Sequence, residues 1–317
     1  MKRISVILCL WIILLLPVAV GAQESLWDVF TARARDAYEK KSYDEAALFY
    51  QEAMKAAEAL GPDDPRLAST CNNLAEVFRI QKKYAEAEGL YRRALVIREK
   101  HLGKEHEDVA LIINNLAVLY AEQGHHDVAE LLYKRAIEIA EKKLKGQLAA
   151  AMHVNLAELY RERKNYAEAK RHYNEALSIR VAIKDAGAIE ALVELIKIDE
   201  ALDDAGELPQ RWRQVSLLPL KARLPAQLIE AYRRMNGLWM KHRQTLTDEQ
   251  NAAMVEGFAA ALQELETELG ARRAEVTQLR QMSLEARQWL QQQRREAANS
   301  EPMTTEQNNQ RPPHLSG

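Results

Sequence analysis

Two stretches of the chain share one pattern of apolar and polar positions: residues 72–78 read NNLAEVF and residues 114–120 read NNLAVLY. In the second, Ile113, Ala117 and Tyr120 lie four and then three residues apart, which places them on one face of an α-helix, with Asn115 on the far side. The same period governs AIEALVELIKIDEAL at 188–202. It returns after Pro225, where Leu228, Tyr232, Met235 and Trp239 are spaced by four, three and four. Beyond the capping box formed by Thr247 and Gln250, the stripe continues through Phe258, Leu262, Leu265, Leu269, Val276, Leu279, Ala286 and Leu290. Helices are expected throughout, the last a single rod over 248–298, about 75 Å long at 1.5 Å per residue. A helix over 226–243, joined to it by a turn near 243–247, covers only about 27 Å of that rod. The uncovered stripe would lie in water, so a partner or a second copy is expected to cover it, the alternative being a bend at Gly270 that folds the distal half back onto the repeats.

The helices come in a repeat. Asn73, Asn115 and Asn155 are spaced by 42 and 40 residues, and the same offsets relate Ala87 to Ala129 and Ala169, Tyr91 to Tyr133 and Tyr173, and Ala94 to Ala136 and Ala176. One period earlier stand Ala46, Tyr50 and Ala53. Four helix pairs therefore cover about residues 26–183. The alanines allow backbones to approach to about 8–10 Å, and Phe78, Tyr120 and Tyr160 fill the space between. The first repeat departs from the pattern, with Ala37 at the aromatic position and Tyr38 beside it. This order of Leu-Ala, aromatic, Ala, Tyr and Ala resembles the tetratricopeptide repeat. The long period and the joining segments GPDDPRLAS and GKEHEDVA resemble the kinesin light chain type.

Stacked helix pairs line a concave surface with their first helices, so Asn73, Asn115 and Asn155 are expected to climb that surface as a ladder. The resemblance implies that these amides bond the backbone of an extended peptide, a task suited to a side chain with both acceptor and donors. Asn72 and Asn114, next to them, are candidates for the same surface or for capping a neighbouring helix. Glu76 with Arg79, and Glu158 with Arg161, border the groove at its two ends, while repeat three carries Val118 and Ala121 there. That arrangement suits a ligand with an apolar centre and polar flanks. Each pair is equally an i, i+3 ion pair worth only about 0.2–0.5 kcal/mol.

Lys2 and Arg3, the apolar run Ile4–Val20 and the small residues Val20-Gly21-Ala22 resemble a secretory signal cleaved before Gln23. An uncleaved single-span anchor is the alternative. Export to a bacterial periplasm is expected, and removal of the signal takes Cys9 with it. Cys71 then remains alone, at an apolar helix position that reads as a buried structural thiol.

Composition adds little to this but excludes much. The 317 residues are 47% hydrophobic and 28% charged, with 12 Gly and 9 Pro, which favours an all-α chain. A formal net charge of −2 gives no electrostatic reason to bind nucleic acid. Locally, residues 205–245 hold eight Lys or Arg (211, 213, 221, 223, 233, 234, 241 and 243) against Glu207 and Glu230, a basic stretch that could meet a membrane or an acidic partner.

The expected organisation is a signal over 1–22, a superhelical solenoid with a closing helix over 23–204, a basic Pro-containing linker over 205–225, a helical hairpin or coiled-coil arm over 226–298 and a polar tail over 299–317. No P-loop, dinucleotide turn, nucleophile elbow or metal-ligand spacing is present, so neither metal nor cofactor is expected. The function expected is an exported, non-enzymatic adaptor holding a peptide of a partner protein in its groove. The alternatives are an envelope component that self-associates through its C-terminal helices and an enzyme subunit with an unrecognised site.

Overall fold

A computed structural model describes residues 26–143, 146–216, 225–269 and 274–300. The expected signal, residues 217–224 of the linker and the tail beyond 300 lie outside the described residues. Among those described there are thirteen helices and no strand. They are α1 (26–39), α2 (Tyr43–Leu60), α3 (Pro65–Ile80), α4 (Tyr84–Leu102), α5 (Glu107–Glu122), α6 (His126–Lys143), α7 (Gln147–Glu162), α8 (Tyr166–Ala182), α9 (Ala188–Leu202), α10 (Leu208–Ser216), α11 (Pro225–His242), α12 (Asp248–Leu269) and α13 (Ala274–Ser300). None of the described helices is long and apolar enough to cross a membrane. The helices form two compact units that divide between Ile179 and Arg180.

In the first unit each odd-numbered helix through α7 is followed by its partner after a tight turn. Every such turn contains one residue in the left-handed region: Lys41 (φ 59°), Lys82 (φ 61°), Gly124 (φ 78°) and Lys164 (φ 58°). These positions keep the period of the asparagines, and each turn closes with the same pair of backbone bonds. In the second turn, for example, the Lys83 amide donates to the Phe78 carbonyl at 2.8 Å and the Lys82 amide to Arg79 at 2.9 Å. This is a Schellman stop, and its far acceptor is the carbonyl of Ala37, Phe78, Tyr120 or Tyr160, so the aromatic position marks each helix end.

The repeating alanines are buried as their spacing requires. Ala75, Ala87, Ala94, Ala117, Ala129, Ala136, Ala157, Ala169 and Ala176 are all fully covered. Tyr91 and Tyr173 fill the space they leave and are equally enclosed. Burial pushes the thiol of Cys71, in the same core, up to about 11, so it is an inert packing group. Neighbouring repeats are tied by a recurring bond: Tyr120 donates from its hydroxyl to Glu88 at 2.8 Å, and one repeat on Tyr160 donates to Glu130 at 2.9 Å.

The second unit corrects two expectations. In place of one rod over 248–298 stand α12 (Asp248–Leu269) and α13 (Ala274–Ser300), and α13 packs beside α12 and α11. The stripe of Val276, Leu279, Ala286 and Leu290 is thereby buried within the unit. Trp289 meets Trp239 edge-on at 5.5 Å. The physical reason is area: an apolar stripe of that length gains by closing on the nearest one available, and α11 with α12 supplies it. The capping box does open α12, with the Gln250 amide donating to Thr247 Oγ1 at 3.1 Å and the Thr247 amide to Gln250 Oε1 at 2.9 Å.

The basic stretch is the second correction, because part of it is helical and Arg211, Arg234 and Lys241 are paired within the unit. Residues 208–216 form α10, and Arg211 is completely buried, donating to Asp199 at 3.0 Å and to Glu207 at 2.8 Å. Arg234 pairs with Glu200 at 2.7 Å, and Lys241 pairs with Asp203 at 2.5 Å. These three cations meet the acidic C-terminal half of α9 and its cap.

Candidate functional site

A groove of about 670 Å³ runs along the face of α1, α3, α5 and α7. It is lined by Asn72, Asn73, Asn114, Asn115 and Asn155, together with Glu76, Arg79 and Val118, and by Arg35, Tyr38 and Tyr50 at the first repeat. All five predicted asparagines therefore share one surface. Glu158 and Arg161 do not line it; both are exposed further along α7.

The paired asparagines have distinct jobs. Asn115 on α5 donates from Nδ2 to Asn72 Oδ1 on α3 at 3.0 Å, and Asn155 on α7 donates likewise to Asn114 Oδ1 on α5 at 3.0 Å. The first asparagine of each pair thus receives the second asparagine of the next repeat. Asn72 also donates to Asn73 Oδ1 at 3.3 Å. Among the described residues the Oδ1 atoms of Asn115 and Asn155 accept no hydrogen bond. Each keeps that acceptor and a second N–H, the complement of one peptide group. The doublet answers two needs at once: one amide fixes the register of adjacent helices, and the other is held in a single orientation toward the groove.

Charge in the groove is similarly fixed. Arg79 grips Glu76 with two bonds, at 2.9 and 2.6 Å, and reaches Glu122 on the next repeat with its third nitrogen. Tyr91 donates to Glu76 at 2.9 Å from below. Burial by itself would raise the Glu76 carboxyl, but the bonds from Arg79 and Tyr91 outweigh it and hold the group below its usual range. The same carboxylate, together with burial as the larger cause, pushes the Tyr91 phenol up. The pair expected as a weak surface contact is accordingly a half-buried strut between repeats. Arg35, by contrast, has no carboxylate within salt-bridge distance among the described residues. It lies beside Tyr50, whose phenol burial pushes up while Arg35 opposes the shift.

Arg35, Tyr38 and Tyr50 are groove residues beyond the sequence expectation, which has Tyr50 and Tyr38 only as repeat positions, although a signal exists. Arg35 stands one period before Glu76, in the series that continues to Val118 and Glu158, and Tyr38 one period before Arg79, in the series that continues to Arg161. Extending the period into the weakest repeat would have found both.

A second feature escaped sequence reasoning. His153 and His172 are buried and joined Nδ1 to Nδ1 at 2.9 Å. Arg171 can only donate, so its contact at 2.9 Å makes His172 Nε2 an acceptor and puts the His172 proton on Nδ1. His153 Nδ1 must then accept, and its own proton sits on Nε2, donating to Glu141 at 3.1 Å. Tyr160 stacks on His172 at 5.7 Å. Burial, then the positive charge of Arg171, depresses His172 to about 4. The only hint in the sequence is that His153 lies four residues from both Ala149 and Ala157, on the packed face of α7. Among the described residues no group of three or more His, Cys, Asp or Glu could hold a metal ion.

Comparison with known proteins agrees with the repeat fold. Tetratricopeptide repeat models match residues 28–100 and 67–142, and a further one matches 148–183. Residues 28–142 and 148–183 are tetratricopeptide repeats. No curated protein is similar in sequence. Among solved structures, the apo form of RapI aligns with a TM-score of 0.54 at 16% identity, covering 84% of this chain and 99% of that one. Nearly identical repeats from a Podosopora anserina kinesin light chain align at 0.50 and 18% identity, covering 71% of this chain and 98% of that one. A Rap protein in complex with Competence and Sporulation Factor aligns at 0.50 and 15% identity, covering 84% of this chain and 76% of that one. At these identities the likeness is one of fold. The tetratricopeptide architecture presents surfaces and contributes no reaction of its own.

Proposed function

We propose that the repeat array is a protein-interaction scaffold that holds an extended peptide segment of a partner protein along the groove of α1, α3, α5 and α7. The observation that carries this reading is the ladder of Asn115 and Asn155, whose amides are oriented by Asn72 and Asn114 while their Oδ1 atoms remain available. Preorganised amides lose little on binding, which is where affinity for a flexible peptide is usually lost. Val118 offers an apolar patch at the middle of the groove, with Arg35 toward one end. A segment with an apolar residue flanked by polar ones suits that order. The Rap protein that aligns in fold is seen in complex with Competence and Sporulation Factor, which supports binding as the use of such an array.

The scaffold works outside the cytoplasm in this reading, exported by the segment at 1–22 and cleaved before Gln23. Cross-linking in the native envelope, followed by mass spectrometric identification of what is trapped, tests the scaffold. Partners captured by the native chain should be lost when Asn73, Asn115 and Asn155 are all changed to Ala; equal capture by both would remove the ladder from the mechanism. N-terminal sequencing tests export, and a chain that begins at Met1 and is released only by detergent would replace cleavage with a single-span anchor.

A further inference from the structure

The second unit contains a cavity of about 640 Å³ where α11 ends, α12 begins and α13 passes beside them. Arg243 and Gln244 line it with Leu246, Asp248, Trp289 and Arg294. The guanidinium of Arg243 sits in the corner made by two indoles, 5.8 Å from the centre of Trp239 and 4.9 Å from that of Trp289, with the rings perpendicular at 88°. Its one side-chain hydrogen bond goes to the thioether of Met240 at 3.3 Å, a weak acceptor. Among the described residues no carboxylate or carbonyl oxygen bonds the guanidinium, so most of its donors are undischarged.

The setting is rigid. The Arg243 amide donates to the Trp239 carbonyl at 2.7 Å. Asn251 is buried, donates to the carbonyls of Arg243 and Leu246 at 2.9 and 3.3 Å, and receives Trp239 Nε1 at 2.8 Å. One asparagine therefore fixes both the turn that carries the arginine and the indole it rests on. Across the cavity Arg294 is partly offset by Asp248 at 3.4 Å. The lining holds two guanidinium groups against a single carboxylate, with an aromatic wall and flanking amides.

We infer that this cavity is a carboxylate-binding site, in which Arg243 presents its planar fork to an acidic side chain of a peptide whose neighbouring atoms lie on Trp289. A guanidinium held by aromatic faces is oriented in advance, and its geometry matches a carboxylate with two parallel bonds. The site is separate from the groove of the repeat array and does not depend on it.

The full chain should be titrated by calorimetry, with tryptophan emission followed in parallel. The ligands are the capped pentapeptide acetyl-Ala-Ala-Glu-Ala-Ala-amide, its Gln counterpart and free glutarate. The Glu peptide should bind saturably and the Gln peptide at least about ten-fold more weakly, since bonds to a charged acceptor are the main attraction. Arg243→Gln should abolish binding, and Arg243→Lys should weaken it about ten-fold by losing the fork. The triple Ala variant of Asn73, Asn115 and Asn155 should bind as the native chain does, which separates this site from the groove. Equal binding of the Gln peptide, undiminished binding by Arg243→Gln in a chain of native helical content, or no binding at all would overturn the site. Glutarate binding as tightly as the peptide would overturn the peptide as its ligand.

Discussion

Asn115 on α5 and Asn72 on α3 are joined side chain to side chain at 3.0 Å, 43 residues apart in the chain and one repeat apart in space. The bond makes an intended binding residue part of the framework too. Asn115→Ala should therefore weaken partner capture and also cost about 0.5–1.5 kcal/mol of stability. A double-mutant cycle with Asn72→Ala, read by urea unfolding, should show coupling between the two sites. Strictly additive changes would mean that the amides do not meet in solution.

The buried ion pair of the second unit should be the most sensitive point in the chain. Arg211 and Asp199 are both fully enclosed, and removing Arg211 takes from the buried Asp199 carboxylate the charge-assisted bond it receives at 3.0 Å. Arg211→Met should destabilise by about 3–5 kcal/mol, and adding Asp199→Leu should restore much of the loss. Unfolding curves of the single and double variants decide it, and a double variant worse than the single one would refute the account.

Acid should loosen the third and fourth repeats. His172 ordinarily titrates at 6.5 but is depressed to about 4 by burial first and by Arg171 second. The folded chain resists the proton that the unfolded chain takes up readily, so the stabilisation is whole above pH 6.5 and is lost as pH falls toward 4. Glu141 and Lys134 on α6, Arg171 and Glu168 on α8 and Tyr160 on α7 face the pair or act on it, and the carboxylates soften the effect. The melting temperature should drop between pH 6.5 and 4, and less steeply in His172→Phe. Identical pH profiles for the two chains would exclude the histidine pair as the cause.

Gly124 is the one glycine among the four left-handed turn positions, with φ at 78° and no atom within 4 Å of where a Cβ would stand. Gly124→Ala should cost only the backbone term, about 1 kcal/mol. Lys82→Gly should be close to neutral, since relief of the turn is offset by about 0.4–1 kcal/mol of added freedom in the unfolded chain. Thermal melts of both variants check this, and a loss of several kcal/mol in Gly124→Ala would show that packing governs the turn.

Much was legible in the sequence, and for a physical reason. A repeat buries one helix pair against the next, so the same small and aromatic residues return at the same offsets, and periodicity alone located Ala87, Tyr91, Ala94 and their counterparts. It also placed Asn73, Asn115 and Asn155 on one surface, because residues at equal offsets in stacked repeats occupy equivalent positions, while Asn72 and Asn114 stayed open between that surface and a helix cap. What it left open was which amide of each doublet bonds the next repeat, since that depends on a contact across 41 or 43 residues.

The second unit has no period, and there the sequence determined helices but not their pairing. An apolar stripe such as Val276, Leu279 and Leu290 specifies that it will be buried, yet one stripe fits another equally well whether it belongs to a second chain or to the same one. Only the tertiary structure decided that α13 closes on α11 and α12, and that Arg211 and Arg234 meet Asp199 and Glu200 of α9. Burial of apolar area is non-directional and charge pairing depends on distance in space, so neither can be read from spacing along the chain.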